Sequence, residues 1–186
     1  MWKFVEAGMR RHKSCREVAG AVTGALVTSR GPTATAPILP TPTVGVLGVI
    51  DDVATRIRSG FAHPGDAILL LGETREELSG SIWASVMHDG HIGGLPPAVV
   101  LGAEKALAEV MGESAKRGLL SSAHDVSEGG LGVALAESAF RNRLGFAVTL
   151  PEGDQTVSLF SESAARAVVS LPGSTVEEFE ALCAER

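Results

Sequence analysis

Trp2, Val5, Met9 and His12 recur at the spacing of one helical face, which predicts an amphipathic helix from about residue 2 to 18. Periodicity then disappears. The stretch GAVTGALVTSRGPTATAPILPTP (20–42) is dominated by Gly, Ala, Thr and Pro, and Pro32, Pro37, Pro40 and Pro42 exclude a helix, so an irregular loop is expected. Order returns with TVGVLGVI (43–50), an unbroken apolar run suited to a buried strand that would lack sheet partners in so short a chain. His63-Pro64-Gly65-Asp66 signals a turn, and AILLLG (67–72) reads as a second buried strand. Beyond it, helical patterns at 81–89, 102–117 and 131–140 alternate with strand patterns at 119–124, 145–150 and 166–171. A last helix opens at Ser174-Thr175-Val176-Glu177, where Ser174 and Glu177 would satisfy each other's exposed N–H groups as a capping box. This alternation from Asp66 onward predicts a layered α/β (α+β) domain.

Composition narrows the functional classes. With 186 residues, 45% hydrophobic and 20% charged, the chain has the make-up of a globular protein: one domain, or one domain plus a piece of another. Sixteen basic against 22 acidic residues give a net charge of −6, which excludes a nucleic-acid surface because phosphate backbones need a positive field. An aromatic content of 4% with no Tyr also excludes a base-stacking platform. Small anions remain possible, since backbone N–H groups bind them without net positive charge. Cys15 and Cys183 have no metal-type spacing and read as free thiols of a reducing compartment. No apolar run approaches the ~18 residues that cross a bilayer. The start lacks the apolar core of a signal peptide, so no membrane partner is expected and the cytoplasm is the expected location.

The densest chemistry lies in SSAHDVSEGGL (121–131). A strand ending at His124 puts Asp125 to Gly130 at its C-terminal edge, where α/β proteins place ligands. Ser127 would cap the next helix, and Gly129 and Gly130 in its first turn would offer N–H groups to a phosphate. Asp125 would hold a hard cation such as Mg²⁺ bridging to that phosphate. The alternative is a plain turn: Ser127 caps, the glycines permit close packing, and His124 hydrogen-bonds in the core.

HDVSEGGLGVALAE (124–137) resembles the His-Asp-x-Ser-[Asp/Glu]-Gly-Gly-Leu signature of phosphoribosylformylglycinamidine synthases, ATP-dependent ligases of purine biosynthesis in the aminoimidazole-ribonucleotide synthetase superfamily. Further matches keep the family's order: MWKF (1–4), CRE (15–17), VTG (22–24), ILPTPTVGVLGVIDDV (38–53), PGDAILLLGETREELSGS (64–81), GGLPP (93–97) and LFSESAARAVV (159–169). The resemblance covers nearly the whole chain and implies part of the second of two pseudo-symmetric halves. Residues 1–52 would be a remnant of the N-terminal synthetase-like domain, 53–63 a linker, and 64–186 the C-terminal domain, a mixed sheet flanked by helices and truncated at its end. It further implies Mg²⁺ and ATP or ADP as cofactors, with most of their ligands and the catalytic His in segments before Met1. Asp125, Ser127, Gly129 and Gly130 would form the nucleotide- or phosphate-binding turn, with Asp125 also the metal ligand. Expected partners are the missing half of the synthetase, a glutaminase subunit or domain, or a second copy through self-association.

The family motif departs from its pattern after Val22-Thr23-Gly24, where Gly-Asn-x-Ser is replaced by Ala25, Leu26, Val27 and Thr28. Leu26 offers a metal no oxygen, Ala25 adds a methyl group where close backbone approach is expected, and only Thr28 keeps a hydroxyl for the substrate. A local reading-frame disturbance or relaxed selection across 25–37 would account for this. Glu162 and Ser163 resemble a substrate loop of the family's first half, and a structural role is expected for both. His88, Asp89 and His91 read either as metal donors or as a solvated helix end. The expectation is therefore a fragment of the ligase without activity of its own and with no catalytic residue. The alternatives are a non-catalytic association or structural-nucleotide-binding module, or a subunit completed by a separate chain.

Overall fold

The computed structural model describes residues 23–25, 43–45, 49, 52–90 and 93–186. The chain divides into two units, Met1–Asp51 and Asp52–Arg186. In the first, β1 (Thr23–Ala25) pairs antiparallel with β2 (Thr43–Gly45), Thr23 opposite Gly45. This corrects the reading of 20–42 as wholly irregular and of the apolar run at 43–50 as partnerless. Three residues of ladder need only backbone groups in register, a requirement that leaves no trace in side-chain periodicity. The helix expected at 2–18, with Arg10, Arg11, Lys13 and Cys15, lies outside the described residues.

The second unit opens at Asp52, whose carboxylate accepts the N–H of Ala54 at 2.8 Å and caps a short 3₁₀ turn, Val53–Thr55. Its sheet contains β3 (Ala67–Leu71), β4 (Ser122–Asp125) and β5 (Ala167–Leu171) in the order β3-β5-β4, both pairings antiparallel. Arg58 bridges Ser122 in parallel, which makes the arrangement mixed. β5 is central and buried at all five positions, as its run AVVSL requires.

Successive side chains of β5 serve opposite faces. Val168 joins Phe61, Val126 and the inward stripe of α3 (Gly130–Asn142), Leu131, Ala134 and Leu135, with Ile68 of β3 packed against them. Val169 and Leu171 face the other way, onto Val110 of α2 (Leu101–Arg117) and Phe179 and Leu182 of α5 (Val176–Ala184). Burying side chains such as Phe179 and Leu182 is worth about 1.5–3 kcal/mol each. Gly118, at φ 64°, ends α2 in the left-handed conformation that a side chain would resist. Two short helices complete the unit. α1 (Ile82–Met87) is capped by the Ser81 hydroxyl, and α4 (Gln155–Phe160) by Asp154, which accepts the N–H of Thr156 at 2.7 Å. α4, of six residues, is not among the helices that the sequence pattern predicts.

Two local expectations are corrected. GFAVTL (145–150) is not a strand; it runs as irregular chain beside a groove of about 630 Å³ lined also by Phe61, Ile68, Leu131 and Val168. Phe146 makes an edge-to-face contact with Phe61, and Leu150 packs against the core beside it, without any ladder partner among the described residues. The capping box at Ser174 and Glu177 does not form either. A 3₁₀ turn, Gly173–Thr175, runs directly into α5, and the Thr175 hydroxyl lies 3.1 Å from the Leu119 carbonyl and 3.0 Å from that of Pro172.

Candidate functional site

The HDVSEGG segment sits where the strand pattern puts it. β4 ends at Asp125, the chain turns through Val126 to Glu128, and α3 begins at Gly130. Val126 is buried in the core and anchors the turn from below, its N–H donating to the Arg166 carbonyl at 3.0 Å. Asp125 and Ser127 face solvent, and the Ser127 hydroxyl donates to the Asp125 carboxylate at 2.8 Å. His124 is largely buried, with Nδ1 2.7 Å from the Asp125 carbonyl and Nε2 3.1 Å from the Glu137 carboxylate.

The helix start differs from the sequence expectation. Gly129, at φ 80°, occupies the N-cap, and Ser127 makes no side-chain cap. Its hydroxyl is spent on Asp125, while its carbonyl accepts the Gly130 N–H at 3.1 Å. The glycines have steric reasons of their own. A Cβ on Gly129 would run into the side chain of Val133. One on Gly130, at φ 70°, would meet the carbonyl oxygens of Leu159 and Ser161 at 2.7 Å each. Close approach of α3 to the end of α4 therefore needs Gly130.

The Gly129 N–H is also taken. Glu162 reaches across from the loop after α4, and its Oε1 accepts from the Gly129 N–H at 2.8 Å and from the Ile82 N–H at 2.8 Å. One carboxylate thus sits at the N-terminal ends of α3 and α1, where partial positive charge favours an anion. A structural role was expected for Glu162 in spite of its resemblance to a substrate loop, but its partners were not.

Behind it lies a polar cluster that the sequence reading missed. Arg166, 2% exposed, donates to the Ser163 carbonyl at 3.0 Å, to the Thr74 hydroxyl at 2.9 Å and to the Ser161 carbonyl. Burial pushes its guanidinium pKa down, and the nearby Glu77 opposes that shift. Arg75 donates to Glu77 at 3.2 Å and to the Ala98 carbonyl at 3.0 Å, and Glu77 accepts the Ala98 N–H at 2.7 Å. The Ser163 hydroxyl accepts the Arg75 N–H at 2.9 Å. Two serines and an arginine at 161–166, beside an apolar strand, were the available signal.

Asp125 presents an exposed carboxylate at the strand end, where it accepts the Ser127 hydroxyl at 2.8 Å. Among the described residues no group of three His, Cys, Asp or Glu is placed to hold a metal, and this includes His88 and Asp89; His91 lies outside them. A phosphate resting on the Gly129 N–H does not fit, because Glu162 holds that donor. Thr28 and Leu26 lie outside the described residues, and of Ala25 only the backbone, in β1, is described.

Residues 63–186 match the family described as AIR synthase related protein, C-terminal domain. The chain belongs to this family. Outside the family domain the similarity continues: over 185 residues and the full length of the chain it is 56% identical to the phosphoribosylformylglycinamidine synthase subunit PurL of Cutibacterium acnes, 25% of which it covers. The structure of T. maritima PurL complexed with FGAR matches at a TM-score of 0.61 and 21% identity, covering 72% of this chain and 24% of that one. T. maritima PurL complexed with ATP matches at 0.51 and 21% identity, over 72% of this chain and 22% of that one. At such identity these structures show a likeness of fold alone. The chain spans about a quarter of the length of the curated relatives it matches.

Proposed function

We propose that this chain is the portion of a phosphoribosylformylglycinamidine synthase that carries the AIR synthase-related C-terminal domain, and that it is inactive by itself. The reaction of the whole protein is the ATP-dependent conversion of formylglycinamide ribonucleotide, with ammonia from glutamine, to formylglycinamidine ribonucleotide. The observation that carries this reading is 56% identity along the entire chain to a PurL subunit of which it covers 25%. Residues 64–186 are the C-terminal domain and 1–52 a remnant of its partner domain, with 53–63 leading into the former. The remaining half of the synthetase and a glutaminase subunit or domain are its partners. The cytoplasm is its location.

Within this reading the turn Asp125–Gly130 faces a nucleotide. Mg²⁺, when bound there, neutralises phosphate charge. Asp125 contributes one carboxylate to it, and Ser127 offers a hydroxyl once it lets go of Asp125. Gly129 and Gly130 shape the turn. Thr28, where the family motif has its substrate-contacting Ser, keeps a hydroxyl for the substrate.

The test is complementation. A PurL-type subunit lacking the matching quarter, mixed with its glutaminase and this chain, is expected to form formylglycinamidine ribonucleotide, while the chain alone forms none. Turnover by the chain alone overturns the reading, as does failure of the mixture when the native segment supplied in the same way restores activity.

A further inference from the structure

The structure points to Glu162 as the positioning residue of the candidate nucleotide turn. We propose that its carboxylate stands where a ligand's phosphate would otherwise rest. It fixes the turn so that a nucleotide and its cation meet Asp125 and Ser127 and leave the glycine amides alone. The inference rests on the reading of Asp125–Gly130 as nucleotide-facing and assigns a role to a residue outside that segment.

The geometry behind it is specific. Oε1 of Glu162 is shared between the Gly129 and Ile82 N–H groups at 2.8 Å each, so one atom ties the start of α3 to the start of α1. Both distances fall in the range of charge-assisted bonds. The loop bearing Glu162 is itself held: Ser161 and Ser163 on either side are fully buried, and both hydroxyls donate to the Arg75 carbonyl, at 2.5 and 3.2 Å. Behind them Arg166 donates to the Ser161 and Ser163 carbonyls. Glu162 is therefore presented by a rigid support. Gly129 and Gly130 are buried, whereas Asp125 and Ser127 are exposed, so the turn offers a ligand its carboxylate and hydroxyl and hides its amides. Taking up the Gly129 N–H also fixes the left-handed N-cap that sets where Ser127 and Asp125 stand.

Amide NMR on the full chain, with inorganic phosphate and Mg²⁺–ADP as probes, tests this on wild type, Glu162→Gln and Glu162→Ala. In wild type, phosphate is expected to leave the Gly129 and Gly130 resonances in place, while Mg²⁺–ADP moves those of Asp125 to Ser127. Glu162→Gln retains a carbonyl acceptor and is expected to keep the Gly129 and Ile82 resonances near their wild-type positions and Mg²⁺–ADP affinity within about threefold. Glu162→Ala is expected to shift both resonances together, open Gly129 to phosphate, and weaken Mg²⁺–ADP about tenfold. A phosphate-dependent shift of Gly129 in wild type overturns the inference, and so does unchanged Mg²⁺–ADP affinity in Glu162→Ala. If none of the three proteins binds Mg²⁺–ADP, the nucleotide-facing reading fails and takes the positioning role with it. Failure confined to Glu162→Ala leaves that reading standing.

Discussion

The guanidinium of Arg166 donates to the hydroxyl of Thr74 at 2.9 Å from a position only 2% exposed. Its other donors go to the carbonyls of Ser163 and Ser161, so one cation gathers the loop after β3 and the loop before β5. Removing it leaves buried acceptors without donors, and each costs roughly 1–3 kcal/mol. Arg166→Ala is expected to lower stability by about 3 kcal/mol in urea denaturation. Arg166→Lys keeps the charge but loses the planar fork, and a smaller loss, about 2 kcal/mol, is expected. Equal stability of wild type and Arg166→Ala would show that the cluster is not structural.

Gly130 and Gly145 separate steric need from mere sequence occurrence. A Cβ at Gly130 would lie 2.7 Å from the carbonyl oxygens of Leu159 and Ser161 at a backbone φ of 70°, whereas a Cβ at Gly145 would meet nothing within 4 Å. Gly130→Ala is expected to destabilise by about 2 kcal/mol, through overpacking and backbone strain together. Gly145→Ala is expected to be neutral or to gain up to about 1 kcal/mol by restricting the unfolded chain. Thermal melts of the two variants check the contrast, which fails if they shift alike.

Much of the second unit was legible in the sequence. β3, β5, α2 and α3 are long or strongly apolar, and burial of one face or both imposes a pattern that can be read without coordinates. GFAVTL misled because a short apolar run carries no information on whether the backbone finds a ladder partner. For the site, HDVSEGG located the strand edge and the turn into a helix, but the cap fell on Gly129 and not on Ser127, whose hydroxyl is taken by Asp125. The partner of Gly129 was not legible. Glu162 is 33 residues away, and only tertiary packing brings its carboxylate to that N–H. Arg166 was hidden for the same reason: its acceptors are mainly backbone carbonyls, which any sequence possesses.

Ser122 and Ser170 offer a test of coupling inside the sheet. Their hydroxyls lie 2.6 Å apart, both residues are buried, and they face each other across β4 and β5. Either single change to Ala leaves the other hydroxyl without that partner, at an expected cost of about 1–2 kcal/mol. The double variant Ser122→Ala with Ser170→Ala removes both polar groups together. It is expected to be no less stable than either single variant, with a coupling energy of about 1 kcal/mol or more in a double-mutant cycle. Strict additivity would show that the pair does not act as one unit.

Acid sensitivity is expected to trace in part to Glu77. Its burial works to raise the carboxyl pKa, but the Ala98 N–H, the Ser163 hydroxyl and Arg75 together outweigh that and hold it below the ordinary value of 4.5. A carboxylate whose folded-state pKa is depressed contributes stability that is complete above its unfolded pKa and is lost as pH falls through the folded one. Wild type is therefore expected to lose stability steadily on acidification from about pH 5 to pH 3. Glu77→Gln is expected to start less stable at neutral pH, because the ion pair with Arg75 at 3.2 Å is gone, and to show a shallower acid limb. Urea midpoints at several pH values measure both effects. Parallel curves for the two proteins would mean that another carboxylate governs the acid limb, and Glu113, whose pKa is also lowered, chiefly by its hydrogen bond from Arg117, would be the next position to change.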